Sequence, residues 1–201
     1  MKKNIIIILD PAHGADVNGK CSPDGKHREF AWSRERVKSL RSILTDLGYE
    51  VYVTTESENE PGLSKRKNFA TQIRKGEKKL LLSFHNNAAG SGNKWMTARG
   101  AEVYTTPGVT NADICADYIL SQLKKDFPEI KMRYNRDVKL ERDKEAKFTV
   151  LMGADYMGVL IEWLFQDNKD DVELLMDSEM NRRFESSIVD AIESINDYFK
   201  E

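Results

Sequence analysis

The chain has 201 residues, the length of one ordinary domain and enough to bury a sizeable core. Hydrophobic residues make up 40% and charged residues 32% of the sequence, a globular composition that excludes disordered and fibrous classes. The 31 lysines and arginines nearly balance 33 aspartates and glutamates, and the formal net charge of -2 argues against a general nucleic-acid binder. With only Cys21 and Cys115, a disulfide framework and a four-cysteine zinc site are excluded, and nothing in the sequence argues that the two pair.

The amino terminus resembles the start of a secretory signal, because two lysines precede the apolar run of residues 5–9. The run stops at Asp10 and Pro11 without a small-residue cleavage site, whereas a signal core needs roughly 7–15 apolar residues. We therefore expect a buried parallel strand here and no signal peptide, so that the protein is cytoplasmic until it is released. No other segment approaches the ~20 apolar residues of a membrane span, and none is expected.

Strand and helix signals alternate along the chain. A helix is predicted from Glu29, because apolar residues recur at spacings of three, four and seven up to Leu47, and Gly48 ends it. The other predicted elements are, in chain order, a strand at residues 4–9, a polar loop at 14–28, a strand at 49–54, a helix at 63–75, a strand at 79–84, a loop at 86–99, a strand at 101–105, a helix at about 111–125, an unassigned polar stretch at 128–146, a strand at 158–163, and one or two helices within 170–199.

This alternation predicts a single α/β domain with a mainly parallel, twisted sheet and helices on both faces. No internal repeat, low-complexity tract or linker divides residues 1–201. In such sheets the reactive groups gather just beyond the carboxyl ends of the strands. That rule selects His13 after the first strand, Glu29 at the start of the first long helix, and His85 and Glu162 at the ends of two later strands.

Each of the three strand-end residues has a functional and a structural interpretation. His13 lies between two small residues that leave its ring free to approach a metal, but a loop histidine without a partner is the commoner case. His85 follows an apolar strand, where a buried imidazole needs either a metal or a backbone carbonyl as its partner. Glu162 interrupts an apolar run, which favours a nearby cation or a proton-transfer role over an exposed strand end that points to water.

Two histidines and a carboxylate are a familiar ligand set for catalytic zinc, which leaves its fourth position to water. A second carboxylate held off the metal would be the base, and the candidate carboxylates are Glu29, Glu162, Asp10 and Asp24. Spacing alone also allows His27 as the third ligand in place of Glu29. Their side chains face the same way in an extended segment and diverge in a helix, so geometry leaves the choice open.

Four motifs in a fixed order identify a family. They are Leu-Asp-Pro-Ala-His-Gly at residues 9–14, Glu29 before a helical pattern, Ser-Phe-His-Asn-Asn-Ala at residues 83–88, and Val-Leu-Ile-Glu at residues 159–162 followed by Phe165 and Asn168. Together they resemble the zinc-dependent N-acetylmuramoyl-L-alanine amidases of the amidase-3 type, across almost the whole chain. These enzymes cut peptidoglycan between the lactyl group of N-acetylmuramic acid and L-alanine.

The resemblance implies a set of site residues. His13, Glu29 and His85 would bind one Zn²⁺ per chain, and it is the family pattern that favours Glu29 over His27. Glu162 would accept the proton of the attacking water and pass it to the leaving amine. The substrate would be peptidoglycan, no nucleic acid would be bound, and a monomer is expected.

Further expectations concern the substrate and the setting. Asn87 is a candidate substrate contact, together with Trp95 in the loop 86–99, while the segment 26–28 has the composition of a solvated or substrate-facing stretch. Residues 1–201 are expected to be one catalytic domain without a separate cell-wall-binding domain. That arrangement favours a phage or prophage endolysin that acts on the bacterial cell wall.

Three other functions are weighed against this one. A zinc peptidase or amidohydrolase of similar fold would cut another amide bond. A non-catalytic peptidoglycan-binding module would keep the fold without turnover. Glu162 argues against it, because this residue would contribute little to binding. A nucleotide-binding protein is discounted, because the first strand is not followed by a glycine-rich phosphate loop.

Overall fold

The structure, a computed structural model, describes residues 3–200. Its strands are β1 (Ile6–Pro11), β2 (Val51–Val53), β3 (Lys79–Asn87), β4 (Ala101–Thr105), β5 (Lys144–Glu145) and β6 (Met157–Phe165). Its helices are α1 (Glu29–Asp46), α2 (Leu63–Gln72), α3 (Asn111–Asp126), α4 (Lys169–Met176) and α5 (Ser178–Tyr198), and a 3₁₀ turn spans Thr149–Leu151. Among residues 3–200, no helix combines the length and the apolarity that crossing a bilayer requires.

The six strands form one sheet in the order β2-β1-β3-β6-β4-β5. All neighbouring strands run parallel except β4 and β6, which pair antiparallel. Every residue of β1 is buried, which explains why its sequence is a nearly continuous apolar run and does not alternate. The prediction of a single α/β domain with a mainly parallel sheet is confirmed.

Helices cover both faces of the sheet, as predicted, but unequally. On one face α1, α3, α4 and α5 pack against side chains such as Ile7, Leu82 and Ile161 and enclose the larger core. On the other face α2 and the 3₁₀ turn cover a smaller core around Ile8 and Leu81. On this face α2 and the 3₁₀ turn leave a cleft open near the carboxyl ends of β3 and β6.

The boundaries differ from the predicted ones for physical reasons. The helix predicted at residues 63–75 ends at Gln72, since Ile73 is extended, and the ammonium group of Lys79 caps the last turn. Its Nζ lies 3.0 Å from the Ala70 carbonyl and 2.8 Å from the Ile73 carbonyl, and thus satisfies the last orphan carbonyls of the helix. The unassigned stretch 128–146 contains β5, which pairs with the carboxyl end of β4.

Strands β3 and β6 are longer than the predicted strands at residues 79–84 and 158–163. His85 and Glu162 therefore lie within strands and not at their ends, and they are register partners across the β3–β6 pair. In β3 the backbone ladder continues past the apolar residues because main-chain hydrogen bonds do not depend on side-chain polarity, and β6 continues through the apolar Leu164 and Phe165. This continuation holds the two polar side chains on rigid backbone.

Candidate active site

His13 occupies a backbone conformation that few side chains adopt. Its φ is 46°, in the left-handed region where histidine is tolerated better than most residues. Two guanidinium groups hold the segment, because Arg34 Nη2 donates to the His13 carbonyl at 2.9 Å and Arg66 Nη2 donates to it at 3.0 Å. The turn directs the imidazole away from β1 and toward the amino terminus of α1.

Glu29 is the first residue of α1 and is almost completely buried. The backbone N–H of Asn86 donates to its Oε1 at 3.1 Å, and Gln166 Nε2 donates to its Oε2 at 3.0 Å. A carboxylate in the first turn of a helix is also favoured by the helix dipole. Both oxygens of Glu29 are thereby fixed in position.

The two histidines meet Glu29 at one point. Glu29 Oε1 lies 2.9 Å from His85 Nδ1 and 3.4 Å from His13 Nε2, and the imidazole rings are perpendicular with their centroids 5.1 Å apart. One ligand atom from each of the three residues falls within 4.8 Å of the others. His13, Glu29 and His85 are thus the residues that could hold a metal ion.

The electrostatics of this trio favour an ionised carboxylate. Burial disfavours the charged form of Glu29, but the hydrogen bonds with His13 and His85 outweigh it and hold the pKa of the carboxyl well below its usual range. Burial likewise opposes protonation of His85, yet its hydrogen bond to Glu29 raises the pKa of the imidazole. The cluster therefore concentrates a negative charge between two nitrogen donors, which is what a divalent cation requires.

Glu162 lies beside this trio and is left without a partner. Part of its side chain faces the cleft, but Oε2 is shielded from solvent and accepts no hydrogen bond from residues 3–200. Burial raises the pKa of Glu162 to about 7. A carboxyl group in this state takes up and releases a proton near neutral pH.

A β-bulge shapes this end of the sheet. His85 pairs with Glu162, but Asn87 pairs with Phe165, so that β6 carries one residue more than β3 between these pairs. Bulges are common next to active sites, where they redirect side chains. Here Trp163 is completely buried in the larger core, whereas Glu162 faces the opposite side of the sheet.

The trio and Glu162 line a cleft of about 390 Å³. Asn87, predicted as a substrate contact, also lines it, and so does Lys20. Trp95 is not among the lining residues, and its ring lies 5.8 Å from the Lys169 ammonium outside the cleft. The remaining lining residues are Leu63, Asn86, Ala88, Gly90, Phe148, Thr149, Val150, Leu160 and Gln166.

The prediction that the segment 26–28 is solvated or substrate-facing is wrong for His27, which is buried and does not line the cleft. Its side chain is buried, and Nε2 lies 2.8 Å from Asn86 Oδ1. Burial lowers the pKa of His27 despite this hydrogen bond, so the ring is neutral and structural. Because Glu29 begins the helix and His27 precedes it, the two side chains diverge, and only Glu29 joins the trio.

The other two candidate carboxylates lie away from the trio. Asp10 is buried and accepts hydrogen bonds from Ser83 Oγ at 2.6 Å and from Thr54 Oγ1. Asp24 accepts from Ser22 Oγ at 2.6 Å in a surface turn. Both carboxylates are used in holding local structure.

The groups that position the trio are not among the residues predicted from the sequence. Gln166 anchors Glu29 directly, and it follows a strand end, so the rule used to select His85 and Glu162 would have found it. Arg34 and Arg66 hold the His13 carbonyl, but they come from two different helices. No local pattern in the sequence connects these two arginines with His13.

Comparisons with known proteins identify the family and the fold of this chain. The profile of the N-acetylmuramoyl-L-alanine amidase family matches residues 7–194. An endolysin of Bacillus phage SPP1 is 29% identical over 180 residues, covering 88% of this chain and 60% of the endolysin. The probable cell wall amidase LytH of Staphylococcus saprophyticus is 26% identical over 200 residues, covering 99% of this chain and 60% of LytH.

The chain thus spans 60% of the length of each of these two relatives. The crystal structure of an N-acetylmuramoyl-L-alanine amidase from Clostridium difficile 630 has the same fold, with a TM-score of 0.81 at 21% identity over 96% of this chain and 98% of that one. Since the family profile covers residues 7–194, from β1 to α5, the chain belongs to the N-acetylmuramoyl-L-alanine amidase family.

Proposed function

We propose that this protein is a zinc-dependent N-acetylmuramoyl-L-alanine amidase that hydrolyses the amide bond between the lactyl group of N-acetylmuramic acid and L-alanine in peptidoglycan. The observation that carries the proposal is the pairing of two features in one cleft. His13, Glu29 and His85 present three ligand atoms within 4.8 Å, and the unpartnered carboxylate of Glu162 lies beside them. Membership of the family supports the same reaction.

The residues present fit a zinc ion. Two imidazoles and one carboxylate are a ligand set that catalytic zinc uses, with the fourth position left to water or substrate. Gln166 and the Asn86 backbone fix the Glu29 carboxylate, as outer hydrogen bonds do for metal ligands generally. Zinc, when bound, supplies Lewis acidity toward the amide carbonyl and toward water.

Glu162 would accept and donate the protons that the reaction transfers. Its unpartnered Oε2 is free to accept a proton from the attacking water, and its pKa of about 7 suits a base that works near neutral pH. Once protonated, the same carboxyl can donate to the amine of L-alanine as the amide bond breaks. Without that donation the amine is a poor leaving group.

Asn87 is proposed as a substrate contact. It lies at the end of β3 and lines the cleft next to Glu162. Its Nδ2 donates to Glu102 at 2.9 Å and its Oδ1 accepts from the Ala88 backbone at 2.8 Å, so the amide plane is held in one orientation. A fixed amide at the wall of a cleft offers a substrate peptide oriented hydrogen-bonding groups.

The test measures zinc and turnover on the same preparations. Protein purified without chelator is expected to hold about one Zn²⁺ per chain, as a single mononuclear site requires. Glu29→Ala should lose most of that zinc, whereas His27→Ala should keep it, because His27 contacts Asn86 and not the trio. Absence of zinc from the wild type, with no gain of activity when zinc is added, would overturn the metal site.

Glu162→Gln completes the experiment. It preserves the shape of the side chain but cannot take a proton, so it should retain zinc while the rate of peptide release falls at least about 10²-fold. Glu173→Gln, an exposed carboxylate of α4, is the matched control and should change neither quantity. Loss of zinc together with activity would make Glu162 a ligand, and an unchanged rate would remove it from the reaction.

The product identifies the reaction. New L-alanine amino termini in digested cell walls, without new reducing sugars, are expected for the amidase. A different new amino terminus would indicate a zinc peptidase, and no release of peptide would indicate a binding module.

A further inference from the structure

A second cluster of charges lies one strand away from Glu162. Glu102 of β4 is buried, and its Oε1 lies 2.6 Å from Arg133 Nε and 2.7 Å from Lys144 Nζ. Burial of Glu102 opposes its ionisation, but these partners outweigh it and lower the pKa of the carboxyl. Two cations thus face one carboxylate, which leaves the cluster with a net positive charge.

Both cations remain open to solvent. The side chain of Arg133 is 31% exposed and that of Lys144 is 30% exposed. The guanidinium of Arg133 lies 5.2 Å from the centre of the Phe165 ring, and its Nε–H donates to Glu102. Most of the N–H groups on Nη1 and Nη2 therefore remain available. A guanidinium with free N–H groups next to an ammonium is a suitable receptor for a carboxylate.

The cluster adjoins the cleft through shared residues. Glu102 and Glu162 are register partners in the β4–β6 pair, so their side chains project from the same face of the sheet. Asn87, which lines the cleft, donates to Glu102 Oε2 at 2.9 Å. Tyr104 donates to the same oxygen at 2.6 Å, and its ring lies 5.3 Å from that of Phe148, another cleft residue.

The distance suits a peptide substrate. His85, Glu162 and Glu102 are consecutive register partners on three adjacent strands. Strands lie about 4.8 Å apart, so Glu102 is two strand spacings, or roughly 10 Å, from His85. An extended peptide covers about 3.3 Å per residue, so two or three residues bridge this distance.

We propose that Arg133 and Lys144 form a subsite for a free carboxylate that the substrate peptide carries two or three residues beyond the cleaved amide. The inference rests on the proposed function, since it takes the peptide to extend from the metal-ligand trio across Glu162 toward β4. A purely structural role for the cluster would tie β5 and the segment before it to β4. Such a role makes no distinction between an acidic and a neutral peptide.

The test uses two synthetic muropeptides that differ only in this carboxylate, which is free in one and a carboxamide in the other. Their dissociation constants are measured by calorimetry on zinc-loaded Glu162→Gln protein, so that binding is read without turnover. The acidic peptide should bind about tenfold tighter, as one added charge-assisted contact implies. Lys144→Gln and Arg133→Gln should each remove most of that preference, and Arg133→Lys should retain part of it.

Arg136→Gln is the matched control, because Arg136 is exposed and, among residues 3–200, forms a salt bridge only with the exposed Glu141. It should leave the tenfold preference unchanged. Lys144→Gln keeps the test valid if Arg133→Gln is poorly folded, since Arg133 then still pairs with Glu102. Equal affinity for the two peptides would overturn the subsite. So would a preference for the acidic peptide that is the same with and without Lys144→Gln in the Glu162→Gln protein.

Turnover of the carboxamide peptide by the wild type separates this proposal from the proposed function. Hydrolysis of both peptides with equal KM would leave the amidase activity standing and refute the subsite. A binding preference without hydrolysis of either peptide would support the subsite and refute the amidase activity.

Discussion

At the scale of single residues, the raised pKa of Glu162 makes the stability of the fold depend on pH. An unpartnered buried carboxyl costs much more free energy when it is charged than when it is neutral, and burial raises the pKa of Glu162 from 4.5 to about 7. Between these two pH values the folded state binds more protons than the unfolded state. The free energy of unfolding therefore falls as the pH rises through this window.

Glu162→Gln should remove this pH dependence in metal-free protein. At pH 8 the variant is expected to be more stable than the wild type by about 1–3 kcal/mol, since a tenfold change in proton affinity is equivalent to about 1.4 kcal/mol and water in the cleft screens part of the effect. At pH 4, below the ordinary pKa of 4.5, the carboxyl is mostly protonated in both states, so the two proteins should unfold at nearly the same denaturant concentration. Urea unfolding in the presence of chelator at both pH values measures the difference.

Glu145→Gln serves as the comparison for that measurement, because Glu145 is an exposed carboxylate on the edge strand β5. It should behave like the wild type at both pH values. A wild type that is more stable than the Glu162→Gln variant at pH 8 would mean that Glu162 has a charged partner in solution.

At the scale of elements, α2 holds the turn that carries His13 through one side chain. Arg66 is completely buried and reaches from α2 to the end of β1. Its Nη1 lies 3.3 Å from Asp10 Oδ1, and its Nη2 lies 3.0 Å from the His13 carbonyl and 2.9 Å from Glu60 Oε2. The guanidinium thus joins a helix, a strand and the turn that carries His13.

Arg66→Met should destabilise the fold by about 3–5 kcal/mol, because it leaves buried Asp10 without its cation. It should also weaken zinc binding, since the left-handed turn at His13 loses one of its two guanidinium donors. Lys65→Met, at an exposed position of the same helix, should change neither property. Unfolding midpoints and zinc titrations measure the two effects, and unaltered zinc affinity in a folded Arg66 variant would contradict the positioning role.

The sequence predicted the elements better than their arrangement. Apolar periodicity located every long helix and strand, because burial on one face or on both leaves a repeating pattern. The position of β4 between β6 and β5, and its antiparallel direction, depend on contacts that no local pattern records. The polar end of β3, residues 85–87, lies outside the predicted strand because backbone pairing continues where the apolar pattern stops.

The residues of the candidate site stand out in the sequence where a polar residue interrupts or ends an apolar pattern. Glu162 was selected because a carboxylate broke an apolar run, and His85 because it followed one. The choice between His27 and Glu29 needed the start of α1, which sets the direction of each side chain. The Glu102 cluster joins three separate segments, so its charges could not be assigned to one place from spacing.

At the scale of the whole molecule, the proposed metal site and the core would be separate sources of stability. The larger core consists of apolar side chains between the sheet and four helices, and the trio lies outside it at the edge of a cleft. Zinc binding should therefore stabilise a fold that already exists. This distinguishes the protein from small zinc domains that unfold without their metal.

Chelation of zinc-loaded protein should lower the melting temperature while the helical circular dichroism at about 20 °C stays unchanged. A ligand at about 100 times its dissociation constant adds about 2.7 kcal/mol to the free energy of unfolding. For a chain of this size each kcal/mol moves the midpoint by about 2–4 °C, which gives an expected drop of roughly 5–10 °C. In Glu29→Ala the chelator should produce almost no shift, because the variant lacks the ligand that joins the two histidines. A loss of helical signal on chelation would show that the metal is required for folding, and an equal shift in both proteins would locate the stabilising zinc outside the trio.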